Sequence, residues 1–233
     1  MATKEPETQQ QASVVLKNPA PPEKLLIRPK TILRGLADFL FFPARVLLPD
    51  PVTEKLGLSS LRTERMGIML QMIQGRCLDI GAQDNLLMSL YKKSSSDPEA
   101  MESVGVDVID WGGDCMVLPN SAVLPFDDKS FNTVTLVACL NHIPERRETL
   151  HEAQRILKPG GLLLVTMISR FVGYLDHRLR WWGEHSERDV HQDELDGMNR
   201  EEVLELIIEA GFQMERQVPF FYGLNTLYIA RKV

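Results

Sequence analysis

From Arg76 to the end of the chain, short apolar runs alternate with amphipathic stretches, and this alternation restricts the possible folds more than any other feature. The run VTLVAC at 134–139 is apolar at every second position and in between, so it must be covered on both faces. Alternating strands and helices of this kind imply a doubly wound α/β fold, a mainly parallel sheet with helices on both sides. Strands are expected at 77–80, 104–108, 134–139 and 162–167, with two more around 214–220 and 224–231. Helices are expected at 85–93 and 144–157, the second stopped by Lys158-Pro159-Gly160-Gly161.

The flanks read differently. Residues 1–23 are rich in Gln, Pro, Thr and Glu without hydrophobic period and are expected to be a disordered tail. Residues 24–58 are strongly apolar but broken by Pro29, Pro43, Pro49 and Pro51, which predicts an accessory segment of short helices. The main domain then spans 59–233. Ser60 is placed to cap a helix carrying Met66, Met69, Leu70 and Ile73, with Gly75 suited to stop it. Residues 169–198 are too long for a simple connection and form a substrate-side insertion. Asn199 and Glu202 make a capping box for a last helix bearing Val203, Leu206, Ile207 and Ala210.

Composition excludes several classes. The formal net charge of -6 disfavours a nucleic-acid partner. Cys77, Cys115 and Cys139 have no disulfide or zinc spacing and read as reduced core thiols. No apolar run approaches the ~18 residues of a membrane span and no secretory pattern opens the chain, so a cytoplasmic location is expected.

Ligands of open α/β sheets settle beyond the carboxyl ends of the strands, so residues just after each strand carry most weight. CLDIGAQDN at 77–85 puts Asp79 at a strand end, followed by a Gly turn into a helix N-terminus. GVDV at 105–108 puts Asp107 at the next strand end, where a carboxylate can accept both hydroxyls of a ribose, or simply form a turn. LPF at 124–126, SFN at 130–132, the His142-Ile143 turn and RILKPGG at 155–161 follow in order. Together these segments resemble the type 11 group of class I S-adenosylmethionine-dependent methyltransferases. The resemblance covers roughly 76–167 well and the rest of the domain more loosely. It implies a Rossmann-like, seven-stranded sheet with an antiparallel last strand, and S-adenosyl-L-methionine as cofactor. Carried over by position, Asp79, Gly81 and Ala82 would border the methionine part, Asp107 would hold the ribose, and Val108 would pack on adenine. Asn120, Ser121 and Ala122 would line the adenine pocket, and Ala138 would lie beneath the sulfonium.

One departure stands out. The family loop reads D-x-G-x-G-x-G, whereas Gln83 and Asn85 occupy two of the glycine positions here. Asn tolerates left-handed backbone and Gln does not, so the loop is expected to fit the pattern imperfectly. The absence of G-x-G-x-x-G argues against a nicotinamide dehydrogenase.

His142, just after the central strand, is the candidate catalytic base, with a turn-stabilising role as the alternative. His177, His185 and His191 lack ligand spacing, and no metal is expected. Trp181 and Trp182 are expected to anchor the insertion to the core. The expected function is methyl transfer to a small molecule or glycoside, at oxygen. The alternative is a methyltransferase-fold protein, impaired in catalysis, that binds or regulates. The accessory segment 24–58 is expected to be a lid over the strand ends. Its rival role is peripheral membrane contact, with Arg28, Lys30, Arg34 and Arg45 flanking the apolar cluster.

Overall fold

The computed structural model describes residues 32–48, 50–111, 114–168 and 197–233. The expected tail at 1–23 and all but the last two residues of the insertion, with Trp181, Trp182 and the three histidines, lie outside the described residues.

Seven strands form one sheet: β1 (Cys77–Ile80), β2 (Val104–Asp107), β3 (Met116–Val117), β4 (Phe131–Val137), β5 (Leu157–Ile168), β6 (Phe212–Phe220) and β7 (Asn225–Lys232). Their order is β3-β2-β1-β4-β5-β7-β6. The first five are parallel, and β7 runs antiparallel to both β5 and β6, as the resemblance implies. From β1 the chain builds outward to β2 and β3, then returns to the other side of β1 as β4. The strand order therefore reverses between β1 and β4, the place beyond whose carboxyl ends ligands of open α/β sheets bind.

Both faces of the sheet are buried, and alternation along each strand divides the core in two. Leu163, Val165 and Tyr228 face α6 (Arg146–Ile156) and the helix Arg200–Glu209, termed α7 here. Leu162, Leu164 and Ile229 face α4 (Leu61–Met72) and α5 (Leu86–Ser94). The expected caps form: Ser60 Oγ accepts from the Thr63 N–H at 3.0 Å, and the Asn199 N–H donates to Glu202 Oε2 at 2.7 Å.

Three expectations are corrected. Strand β3 was not anticipated, because two exposed residues at a sheet edge carry no readable period. Helix α4 ends at Met72, three residues before Gly75. Lys158-Pro159-Gly160-Gly161 is not a helix stop but part of β5. Helix α6 has already ended at Ile156, and the partners of Phe131 and Thr133 jump from Leu157 to Leu162, so the four residues form an irregularity inside the strand.

The accessory segment contains α1 (Ile32–Leu40), α2 (Phe42–Leu47) and α3 (Asp50–Lys55). Arg45 fastens it to the sheet domain. Its guanidinium is fully buried and donates to Ser59 O at 2.7 Å, Asp38 O at 3.1 Å, the Tyr222 hydroxyl at 3.4 Å and Glu64 Oε1. It also lies 4.6 Å from the Phe221 ring centroid, a cation–π contact, while Phe42 packs on Phe221 and Tyr222. Arg45 is thus not a membrane-facing base. The turn carrying Phe221 and Tyr222 precedes Asn225, which pairs with Ile168 at the carboxyl end of β5. The segment therefore docks at the same carboxyl edge. Phe39 meets the Tyr222 ring edge-on at 5.9 Å yet stays largely exposed, as do Leu36, Leu40 and Phe41.

Breaking a buried ion pair from one side costs about 3–5 kcal/mol, because the remaining charge keeps its burial without compensation. Arg45→Ala is accordingly expected to lower the urea midpoint of the whole domain, with Leu40→Ser as a near-neutral control. An unchanged midpoint for Arg45→Ala would mean that the segment is energetically detached.

Candidate functional site

The loop after β1 takes its shape from backbone bonds to its neighbour strand. The N–H groups of Gly81 and Ala82 both donate to Val106 O, at 2.9 and 3.1 Å. Alternate residues then have positive φ: Gly81 at 73°, Gln83 at 50° and Asn85 at 58°. The left-handed pattern expected of three glycines is therefore present with only one. The expectation that Gln83 is unsuited to it is corrected. Left-handed backbone costs an ordinary residue roughly 1–2 kcal/mol, which the surroundings must offset. Gln83 N–H donates to Asp107 Oδ2 at 2.9 Å, and the Asn85 amide donates to Asp114 O. Gly105 makes room for this arrangement, since a Cβ there would sit 2.1 Å from Asn85 Oδ1. A Cβ on Gly81 would likewise meet Cys139 at 2.7 Å.

Asp107 ends β2 with its second oxygen accepting from Ile109 N–H at 3.1 Å. Two backbone donors thus orient the carboxylate and leave further lone pairs on each oxygen. Beside it, Val108 is 54% exposed, an apolar side chain next to a fixed carboxylate. The 120–122 loop follows the carboxyl end of β3, the neighbour of β2. Asn120 Oδ1 accepts from Ala122 N–H at 3.1 Å, and Ser121, nearly buried, pairs its hydroxyl with that of Thr149 at 2.8 Å. Ser121 therefore ties the loop to α6 with its hydroxyl. Sequence reasoning gave no role to Arg155, although RILKPGG contains it. Its guanidinium bonds Leu124 O at 3.0 Å and Phe126 O at 2.8 Å, fixing the loop that follows Ala122.

Asp79 is only 2% exposed, and Thr135 donates to its Oδ1 at 2.6 Å. Burial pushes the carboxyl up to about 7; the Thr135 bond opposes the shift and the Asp107 charge adds to it. Thr135, the register partner of Asp79 on β4, is a second contributor that the sequence did not single out.

Ala138, immediately past β4, has φ 53° and donates its N–H to both the carbonyl and the hydroxyl of Thr166, each at 3.1 Å. A strained residue at the end of a central strand is typical of functional sites. His142 closes the 3-10 turn Leu140–His142 and is partly exposed, with Nε2 3.1 Å from Asn141 Nδ2. The Asn141 amide is thus placed to donate to the imidazole. Asp79 and Asp107 lie in the last two residues of β1 and β2, and the αL loop, the 120–122 loop, Ala138 and His142 follow the carboxyl ends of β1, β3 and β4. Among the described residues no group of His, Cys, Asp and Glu could hold a metal ion.

A family model described as a methyltransferase domain matches residues 44–217. The chain belongs to this methyltransferase-domain family. The match begins inside the accessory segment, so α3 lies within the family's extent. A ubiquinone/menaquinone biosynthesis C-methyltransferase of Hahella chejuensis is 41% identical over 54 residues, 23% of this chain and 22% of that protein. A demethylmenaquinone methyltransferase of Geobacillus kaustophilus is 28% identical over 130 residues, 48% of this chain and 55% of that one. The chain thus spans about half or less of these relatives. Among solved structures, a Thermotoga maritima SAM-dependent methyltransferase titled a possible histamine N-methyltransferase aligns with TM-score 0.52 and 20% identity, over 72% of this chain and 88% of its own. A Pyrococcus horikoshii protein aligns with TM-score 0.56 and 17% identity, over 74% and 90%. These structures establish the shared fold.

S-adenosylmethionine is the cofactor that family membership implies. The donor set fits it. Among the described residues no basic side chain pairs with the buried Asp79 carboxylate, which an amino-acid ammonium group would suit. Asp107 and Val108 offer a carboxylate for a ribose and an apolar surface for a base.

A carboxyl raised in the folded state favours folding below its unfolded value of 3.8 and loses that contribution as pH rises through about 7. In the cofactor-free protein, Asp79→Asn is therefore expected to raise the melting temperature, with a gain that grows from pH 4 to pH 8. Because an ammonium ion favours the ionised carboxylate, S-adenosylhomocysteine affinity of the wild type is expected to fall as pH drops below about 7. A flat profile in both measurements would remove Asp79 from the cofactor site. Asp107→Ala is expected to weaken S-adenosylhomocysteine binding by about 1.5–3 kcal/mol, the value of a hydrogen bond to a charged group, as read by calorimetry.

Proposed function

We propose that the chain transfers a methyl group from S-adenosylmethionine to a small hydroxylated molecule or glycoside, with oxygen as the methylated atom. The observation that supports this reading is that Asp79, Asp107, the αL loop and Ala138 lie together at the carboxyl ends of β1, β2 and β4, where the strand order reverses. Bound there, the cofactor supplies a methyl group made electrophilic by its sulfonium.

The chain's own residues do the rest. Asp107 accepts the ribose hydroxyls, and Val108 with Asn120, Ser121 and Ala122 borders the adenine. Asp79, Gly81 and Ala82 border the methionine part. His142, on the acceptor side, orients the acceptor hydroxyl or takes its proton. The bond from Asn141 to Nε2 favours orientation, since that lone pair is already engaged. Orientation alone can remove roughly 7–11 kcal/mol of a bimolecular barrier.

Methylation at a ring carbon is the second reading, motivated by the relative whose name specifies a C-methyltransferase. O-methylation releases the hydroxyl proton, whereas ring C-methylation needs an electron-releasing ring oxygen and then loss of the ring C–H proton, so both call for a proton acceptor near the methyl group. The fold alone does not fix the reaction: one solved structure sharing it, at TM-score 0.50, is titled a [4+2]-cyclase. For the segment 24–58 we favour a lid that excludes water from the crevice, on the strength of Arg45 and of docking at the carboxyl edge. Among the described residues no helix is long and apolar enough to cross a membrane.

Calorimetry with S-adenosylhomocysteine should give saturable micromolar binding; none at millimolar ligand would leave the fold a binding or regulatory protein. Incubation with methyl-labelled cofactor and a phenol panel, followed by NMR, separates O-methyl from C-methyl products. His142→Ala is expected to lower turnover at least tenfold while cofactor affinity stays within twofold, whereas parallel losses would make His142 structural. Deleting residues 1–58 should abolish activity on soluble acceptors if the segment is a lid, and spare it while ending vesicle binding if the segment is an anchor.

A further inference from the structure

Helix α1 has one face docked and one face open. Leu36, Phe39 and Leu40 recur at i, i+3 and i+4, which places them on one side of the helix, and Phe41 follows directly. These four side chains are between 54% and 72% exposed. Asp38 points the other way, fully buried, with its carboxylate 3.7 Å from the Arg45 guanidinium. Tyr222, half-exposed, meets Phe39 edge-on and carries the open apolar surface on to the β6–β7 turn. Single exposed leucines are ordinary on a protein surface, but large apolar and aromatic side chains gathered on one helix face mark a contact surface.

The charge around this face is segregated. From Lys24 to Leu48 the sequence carries five bases and one acid, although the whole chain has a net charge of -6. The acid, Asp38, and one of the bases, Arg45, are buried together. The other bases, Lys24, Arg28, Lys30 and Arg34, stand just before α1 or within it and have no acid among them. An apolar helix face beside uncompensated bases matches the boundary of an anionic bilayer, where leucines and rings enter the acyl region and bases meet lipid phosphates. A second copy of the chain matches less well. A two-fold interface over this face would bring two sets of four like charges together.

We propose that the outer face of α1 docks the protein on an anionic lipid surface, with Leu36, Phe39, Leu40 and Phe41 inserted at headgroup level. The inference goes beyond methyl transfer and is compatible with the lid, because the two roles use opposite faces of α1. Arg45 holds the inner face on the sheet domain, so that the outer face is presented as a rigid part of the protein.

The test uses the full chain and co-sedimentation with vesicles of phosphatidylcholine alone or of equal parts phosphatidylcholine and phosphatidylglycerol. Expected is saturable binding to the mixed vesicles that weakens as salt is raised, and at least tenfold weaker binding to phosphatidylcholine alone. The double variant Leu36→Ser/Leu40→Ser should bind mixed vesicles at least tenfold more weakly, and Arg28→Gln/Lys30→Gln at least fivefold more weakly with a shallower salt dependence. In both variants S-adenosylhomocysteine affinity should stay within twofold and the urea midpoint should match the wild type. Absence of vesicle binding by the wild type, or equal binding by the wild type and the leucine variant, overturns the inference even when S-adenosylhomocysteine binds normally. A wild-type dimer that ignores vesicles and dissociates in the leucine variant also overturns it and assigns the face to a second copy. Vesicle binding as expected without S-adenosylhomocysteine binding leaves the docking surface in place and removes the methyl-transfer reading.

Discussion

The central strands β1, β4 and β5 are buried on both faces, and this burial governs where polar chemistry can occur. A strand interior such as Val134 to Leu136 or Leu162 to Val165 has no solvent-facing side, so charged groups are pushed to the strand ends. Order reversal between β1 and β4 then separates the connections on one edge and leaves a crevice there. Asp79, Asp107, Ala138 and His142 come from distant parts of the chain and share that edge because each lies in the last residues of, or just after, a strand running in the same direction.

Placing two carboxylates at such an edge has an electrostatic cost. Asp79 is desolvated and feels Asp107, so its proton is held to about neutral pH, while Asp107 is oriented by the Gln83 and Ile109 N–H groups. The same Gln83 contact helps hold a left-handed residue in place. Loop geometry and carboxylate orientation are thus coupled through one hydrogen bond. That coupling accounts for a loop that keeps its shape with Gln and Asn at positions where glycine is usual in the family it resembles.

The other side of the crevice is built differently. Arg45 joins the accessory helices to the β6–β7 turn and to α4 through carbonyls, a carboxylate and two aromatic rings. This strut joins elements from both ends of the sequence, which only the sheet brings together.

Much of the fold was legible in the sequence, because its signals are local. Period-2 and period-3.6 apolar patterns located six of the seven strands and the helices between them, and the Ser60 and Asn199 caps form as their residue types demand. The strand-end acids Asp79 and Asp107 were legible for the same reason: each sits where an apolar run stops. Tertiary structure decided what depends on neighbours distant in sequence. Gln83 adopts left-handed backbone because Asp107 holds its N–H, and Lys158–Gly161 joins β5 rather than ending a helix because β4 offers a partner on each side of the irregularity. Arg45 reads as a surface base in sequence and becomes a buried strut, since its partners Glu64 and Tyr222 lie 19 and 177 residues away. Residue order alone decides where the polar groups lie along the chain. Their burial, and with it their protonation and pairing, followed from packing, because desolvation depends on what surrounds a group in space.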